Sequence, residues 1–276
     1  MTPLPIDPAV QTAVTELAEA AGRAIMAVYD AGDAQARSKA DASPLTLADE
    51  RAHALIAAQL ATLTPNIPVV SEEDGAVAPR PPLPATCWVV DPLDGTKEFL
   101  KRTGEFTVNI ALVIDDRPVF GVVHAPALAT TWVGAPRGAV RRTATGETPI
   151  AVRAPRSSLA VVASRDHAGP MVSQLLAAHP TFETVSVGSS LKFCRVAEGA
   201  ADLYLRDGPT MVWDTAAGQA VLEAAGGCVL QLDGAPLSGA VPELRNPFFV
   251  AIGSPALPWQ SFLLPVPTSP AVHHEA

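Results

Sequence analysis

Val89-Val90-Asp91-Pro92-Leu93-Asp94-Gly95-Thr96-Lys97-Glu98-Phe99 is the stretch on which the reading of this chain turns. Two β-branched residues lead straight into Asp91, so a strand ends on a carboxylate. Pro92 forces an extended bend, and Asp94-Gly95 turns the chain again. Two acids three residues apart on a tight turn at a strand end can share a hard cation, because Mg2+ prefers oxygen donors and is held by a few carboxylates together with substrate phosphate. Gly95 and Thr96 then begin a helical turn whose free N–H groups face an anion. A β-turn with solvated acids has the same local sequence, so the flanking elements decide between the two.

Upstream, Val69-Val70-Ser71-Glu72-Glu73-Asp74 sets three acids at the end of another apolar strand. Their repulsion calls for cations or solvent. Glu72, nearest the strand, is the candidate ligand, and Glu73 and Asp74 read as solvated. Further upstream, Thr46 reads as a helix N-cap and Asp49 as its reciprocal capping-box acid, or as an acid directed off the first turn into a site. Downstream, Thr210-Met211-Val212-Trp213-Asp214-Thr215-Ala216-Ala217-Gly218 offers Asp214 as an N-cap or as a further site acid. The small residues after it let that helix end approach another segment closely.

The chain has 276 residues, 48% of them apolar, enough to bury a sizeable core in one large domain or two ordinary ones. No apolar run nears the ~20 residues of a membrane-spanning helix, so any membrane association would be peripheral. The first residues do not read as a secretory signal. Three scattered cysteines, Cys87, Cys194 and Cys228, make neither a disulfide framework nor a zinc site and point to a reducing cytoplasm. A net charge of −9 argues against nucleic acid as partner. It would also repel a phosphate substrate unless divalent cations reverse the local potential.

Helical spacing predicts one helix from Pro8, capped by Asp7 and stopped at Gly32, and another from Thr46 to Leu63. Short strands rich in Val, Ile and Thr follow at 67–71, 87–90, 107–114, 118–124, 130–133 and 150–153, a succession that implies an antiparallel sheet. The Pro-rich 78–84 reads as an exposed loop. From Leu159 strands alternate with helices (170–178, 189–199, 214–225), which predicts an α/β unit. A boundary near residue 155 separates residues 1–155 from 156–264, with residues 1–6 and 265–276 as unstructured ends.

Together these elements resemble the lithium-sensitive inositol monophosphatase superfamily, whose three signatures match Glu72-Glu73, Asp91-Pro92-Leu93-Asp94-Gly95-Thr96 and Trp213-Asp214-Thr215-Ala216-Ala217 in order. Lys97-Glu98-Phe99, Gly104-Glu105-Phe106-Thr107-Val108-Asn109-Ile110-Ala111-Leu112 and Gly188-Ser189-Ser190-Leu191-Lys192-Phe193-Cys194 narrow the likeness to its CysQ-type 3'(2'),5'-bisphosphate nucleotidases. The resemblance covers roughly residues 8 to 254. It implies an α+β fold, a layered α/β/α/β/α sandwich with an antiparallel sheet in the first half and a mixed sheet in the second. It implies two or three Mg2+ ions held by Glu72, Asp91, Asp94, Asp214 and the Leu93 carbonyl, with Asp49 and Thr96 orienting or deprotonating the attacking water and Glu72 sharing in catalysis. It further implies that Gly95, Thr96, Ser164, His167, Gly188, Ser190, Lys192 and Asp214 contact a small nucleotide. The expected reaction is removal of the 3'-phosphate of adenosine 3',5'-bisphosphate, or of its sulfated relative, in sulfur assimilation. Another sugar or polyol phosphatase of the superfamily, or a non-catalytic regulator keeping the fold, are the rival readings. By itself His167 reads as a surface residue, whereas Lys192, a cation in a helix's first turn, opposes the helix dipole and calls for a reason.

Overall fold

Five layers stack in the order helix, sheet, helix, sheet, helix in the computed structural model, which describes residues 5–32, 37–38, 44–74, 82–163 and 169–263. The first half runs α1 (Pro8–Ala31), a two-stranded ribbon of β1 (Arg37–Ser38) and β2 (Pro44–Leu45), α2 (Leu47–Leu63), β3 (Val69–Ser71), β4 (Thr86–Asp94), α3 (Thr96–Leu100), β5 (Thr107–Ile114), β6 (Arg117–Ala125), β7 (Thr130–Ala135), β8 (Gly138–Thr143) and β9 (Gly146–Ile150). The second half runs β10 (Ala160–Ala163), α4 (Pro170–Ala178), β11 (Glu183–Ser186), α5 (Leu191–Ala197), β12 (Leu203–Arg206), α6 (Val212–Ala224), β13 (Cys228–Gln231) and β14 (Phe249–Ile252).

Seven strands, β3 to β9, lie side by side in chain order, antiparallel apart from the parallel β3–β4 pair. The second sheet has the order β11-β10-β12-β14-β13 and is mixed. Alternation along each strand assigns the layers. In the first sheet Trp88, Val90, Val108, Ile110 and Leu112 face α1 and α2. Their neighbours Cys87, Val89, Ala111 and Val113 face α5 and α6. In the second sheet Ala160, Val162, Tyr204 and Ala251 meet α5 and α6 from the other side, while Val161, Ala163, Leu203 and Leu205 pack toward α4 and the 257–263 segment. Thus α5 and α6 form a layer shared by both sheets.

Helix α6 sits unusually close to the first sheet. A Cβ at Gly121 would fall 2.5 Å from the Ala217 carbonyl oxygen, and one at Gly134 would fall 2.5 Å from that of Ala220. These glycines are cross-strand partners on β6 and β7. The small residues after Asp214 therefore do what their size suggests. A half-buried ion pair fixes the passage between the sheets, where Arg153 donates to both oxygens of the buried Asp202 at 2.8 and 2.6 Å and Ala160 N–H adds a third bond.

Several expectations need correction. Ile6 is not part of a loose end but packs in the α1–α2 core beside the Asp7 cap. Residues 151–153 are not a strand. The hairpin β8–β9 lies just before them, missed because its solvent-facing residues dilute the apolar alternation. Leu83, in the stretch read as an exposed loop, is buried. Asp74 is exposed as expected, and its Oδ2 also accepts from Ser71 N–H at 2.6 Å and closes the turn after β3.

Candidate active site

Asp91 and Asp94 would point to opposite faces of a regular strand, because they are three residues apart. A bulge prevents this. Asp91 pairs with Asn109 and Asp94 with Thr107, so β4 spends three residues where β5 spends two. The extra residue, which Pro92 helps to accommodate, returns Asp94 to the face of Asp91. That face is the one toward α5 and α6. The side chain of Leu93 is buried in the α1–α2 core, and its N–H donates to Asp91 Oδ1 at 3.0 Å.

Asp214 arrives from the opposite layer. Helix α6 begins at Val212, two residues earlier than expected, so Asp214 occupies the third helical position rather than the N-cap. Its Oδ2 caps the end by accepting from Met211 N–H at 2.7 Å. Asp91, Asp94 and Asp214 each bring a carboxylate oxygen within 4.8 Å of the others. Burial and then the charges of Glu72, Asp94, Asp214 and Asp49 push Asp91 well above the usual carboxylate range. Burial, Asp94 and Glu72 push Asp214 up to about 8, against the Met211 hydrogen bond. Crowded acids with only oxygen donors suit a hard divalent cation, which would relieve the repulsion that raises these pKa values.

Asp49 is buried in the first turn of α2, with Thr46 N–H and Oγ1–H donating to its Oδ2 at 2.8 and 2.5 Å. It is the capping-box acid, and its charge adds the smallest of the pushes on Asp91. Thr96 opens α3, and its hydroxyl donates to the Leu93 carbonyl at 3.3 Å. Gly95 precedes it at φ +88°, a left-handed conformation that glycine adopts without strain.

Ser190 ties the second half to these acids. Its N–H and hydroxyl donate to Asp94 Oδ2 at 2.7 and 2.6 Å. Gly188 N–H donates to Glu105 Oε2 at 3.0 Å. Lys192 is buried, its Nζ donating to the Ser189 carbonyl at 2.8 Å, and the charges of Asp94, Glu98 and Asp214 act on it. Burial nonetheless lowers its pKa. Ser164 and His167 lie outside the described residues.

Arg206, Thr107 and Asn109 belong to the same surroundings and were passed over as site residues. Arg206 ends β12 near Asp214 and Lys192, its Nη2 donates to the Pro209 carbonyl at 2.9 Å, and its buried Nε has no hydrogen-bond partner. A cation closing an apolar strand, eight residues before a site acid, was the available signal. Thr107 and Asn109 stood in a quoted motif, and the alternation that separates them from Val108 could have singled them out.

A fold of stacked sheets and helices with buried acids at the end of a bulged strand is that of a sugar-phosphatase-like enzyme. The chain belongs to the inositol monophosphatase family, whose model matches residues 7–252. It is 50% identical over 238 residues to the 3'(2'),5'-bisphosphate nucleotidase CysQ of Escherichia coli O157:H7, covering 86% of this chain and 96% of that one. It is 37% identical over 226 residues to the protein of the same name from Buchnera aphidicola, covering 82% and 85%. The crystal structure of CysQ from Bacteroides thetaiotaomicron, a bacterial member of the family, matches with a TM-score of 0.78 at 36% identity, over 91% of this chain and 99% of that one. Among the described residues no helix is long and apolar enough to cross a membrane.

Proposed function

We propose that this chain is a Mg2+-dependent 3'(2'),5'-bisphosphate nucleotidase that converts adenosine 3',5'-bisphosphate to AMP and phosphate. The observation that carries the phosphatase reading is the convergence of Asp91, Asp94 and Asp214 from two layers onto one point. The nucleotide reading rests on likeness to CysQ proteins that bear this activity in their names.

Asp91, Asp94 and Asp214, with Glu72 alongside and the Leu93 carbonyl at the bulge, would hold the cations. Bound there, Mg2+ would lower the pKa of water and screen the charge of the monoester. The protein's part is positioning, as in phosphoryl transfer generally. The Thr96 hydroxyl, its proton committed to Leu93, keeps lone pairs to accept a hydrogen bond from the attacking water. Asp49, fixed by the Thr46 bonds, supplies a further acceptor in the same acidic surroundings. Gly95 and Gly188 let the segments around the site pack closely, since a Cβ at Gly188 would lie 2.9 Å from Glu98 Cγ and one at Gly95 3.2 Å from the Glu105 carbonyl oxygen. Lys192 and Arg206 place positive charge on the α5–α6 side, where the phosphate that is not cleaved would lie. Ser164 and His167 complete the nucleotide contacts in this proposal.

Relative kcat/KM for adenosine 3',5'-bisphosphate, inositol 1-phosphate and fructose 1,6-bisphosphate tests the reading. The bisphosphonucleotide should lead by at least about tenfold, in proportion to one charge-assisted contact. Preference for inositol 1-phosphate would overturn the substrate assignment, and full activity in excess chelator would overturn the Mg2+ requirement.

A further inference from the structure

We infer that Asn109 is a positioning residue for the cation site, fixing the Ser190 hydroxyl and, through it, Asp94 at the end of a one-way chain of hydrogen bonds. The inference rests on the reading that Asp94 helps to hold a cation. Asp94 Oδ2 receives the Ser190 hydroxyl at 2.6 Å and the Ser190 N–H at 2.7 Å. The backbone N–H can only donate, so Oδ2 is the accepting oxygen, and the hydroxyl beside it turns its proton the same way. The alternative acceptor, the Asp214 carbonyl, is 3.4 Å away and uncharged.

With its proton committed, the Ser190 oxygen can only accept, and Asn109 Nδ2 lies 2.6 Å from it, against 3.5 Å from the same nitrogen to Asp94 Oδ2 and 3.4 Å from Thr107 Oγ1 to Ser190 Oγ. That requirement sets the amide orientation and turns Oδ1 toward Thr107, whose hydroxyl donates to it at 3.2 Å. The Thr107 oxygen is then free to accept from Ser189 Oγ at 2.6 Å. Directions agree at every link from Ser189 through Thr107, Asn109 and Ser190 to Asp94.

Thr107, Asn109 and Ser190 are 0%, 1% and 2% exposed, so water cannot replace a lost donor. The bulge in β4 aligns the chain, because it places Asn109 opposite Asp91 and Thr107 opposite Asp94. All the bonds gather on Oδ2, which leaves the second oxygen of Asp94 for another partner. Groups that orient a ligand in this way typically change metal affinity 10–100-fold when removed.

Asn109→Leu preserves volume and removes the amide. Titration with Mn2+, followed by electron paramagnetic resonance of the free ion, should show about tenfold weaker binding than wild type. In a Ser190→Ala background the same substitution should change affinity less than about threefold, because only the long 3.5 Å approach of Asn109 Nδ2 to Asp94 Oδ2 then remains. An unchanged affinity in Asn109→Leu, or the same tenfold loss in both backgrounds, would overturn the inference. Should Asn109→Leu fail to fold, Thr107→Val should weaken Mn2+ binding about threefold by freeing the amide, and wild-type affinity in that variant would count equally against it. Wild-type protein that binds no Mn2+ would overturn the cation reading itself, a result distinct from tight binding with an indifferent Asn109.

Discussion

Asp94 shares its carboxylate between Ser190 and the acid cluster, and Asn cannot do both. With its carbonyl oxygen toward the Ser190 donors, Asp94→Asn would turn an NH2 group toward the place of the cation. Asn is itself a good turn residue, so the fold should survive. We expect kcat to fall at least about a hundredfold with an unchanged circular dichroism spectrum, and near-normal turnover would refute Asp94 as a ligand. Arg206 poses the question of the second phosphate. Its unpartnered buried Nε makes the guanidinium a donor in need of an acceptor. Arg206→Met should raise KM for adenosine 3',5'-bisphosphate by about 10–100-fold, and far less for 3'-AMP, which lacks the second phosphate. Equal losses would assign the residue to the acids rather than to substrate.

Among the elements, α6 and the bulged β4 carry the architecture. Gly134→Ala would drive a methyl group into the α6 backbone at Ala220, where neither strand nor helix can yield cheaply. It should destabilise the protein by about 1–3 kcal/mol in urea unfolding, whereas Gly146→Ala, with open space around it, tests only its positive φ. The elements that announced themselves were those with strong local rules. Asp7-Pro8 and Gly32 marked the ends of α1, the apolar spacing marked α2, and Asp91-Pro92-Leu93-Asp94-Gly95 marked the turn. Nothing local could announce the Asp91–Asn109 register or the Ser190–Asp94 bonds, because these depend on partners 18 and 96 residues away. For the same reason the residues around Asp214 marked it only as a candidate, and its grouping with Asp91 and Asp94 came from the family resemblance. The β8–β9 hairpin, with little buried surface, had no pattern strong enough to read.

For the molecule as a whole, stability should depend on pH through His124. Burial, with a lesser push from Arg23, holds this imidazole down to about 4 against the Thr130 backbone bond, while an unfolded chain protonates near 6.5. Between those values the unfolded state binds the extra proton, so stability should fall as the pH drops through that window and level off below it. The loss should be on the order of 3 kcal/mol, and His124→Gln should flatten this part of the urea-unfolding profile. The acid trio predicts a second global effect. In a protein of net charge −9, millimolar Mg2+ should raise Tm by several degrees, and NaCl at matched ionic strength should not, since only a site ligand stabilises by mass action. The shared helical layer has one more consequence, which concerns time. A ribosome delivers β3 to β9 long before α6, whose last residue follows β9 by roughly 70 positions, several seconds at bacterial or eukaryotic speed. Until α5 and then α6 are made, the sheet face bearing Val89, Ala111, Val123 and Trp132 lacks the helices that cover it. The nascent chain therefore passes through a sticky half-built stage, exposed to aggregation until the shared layer is in place.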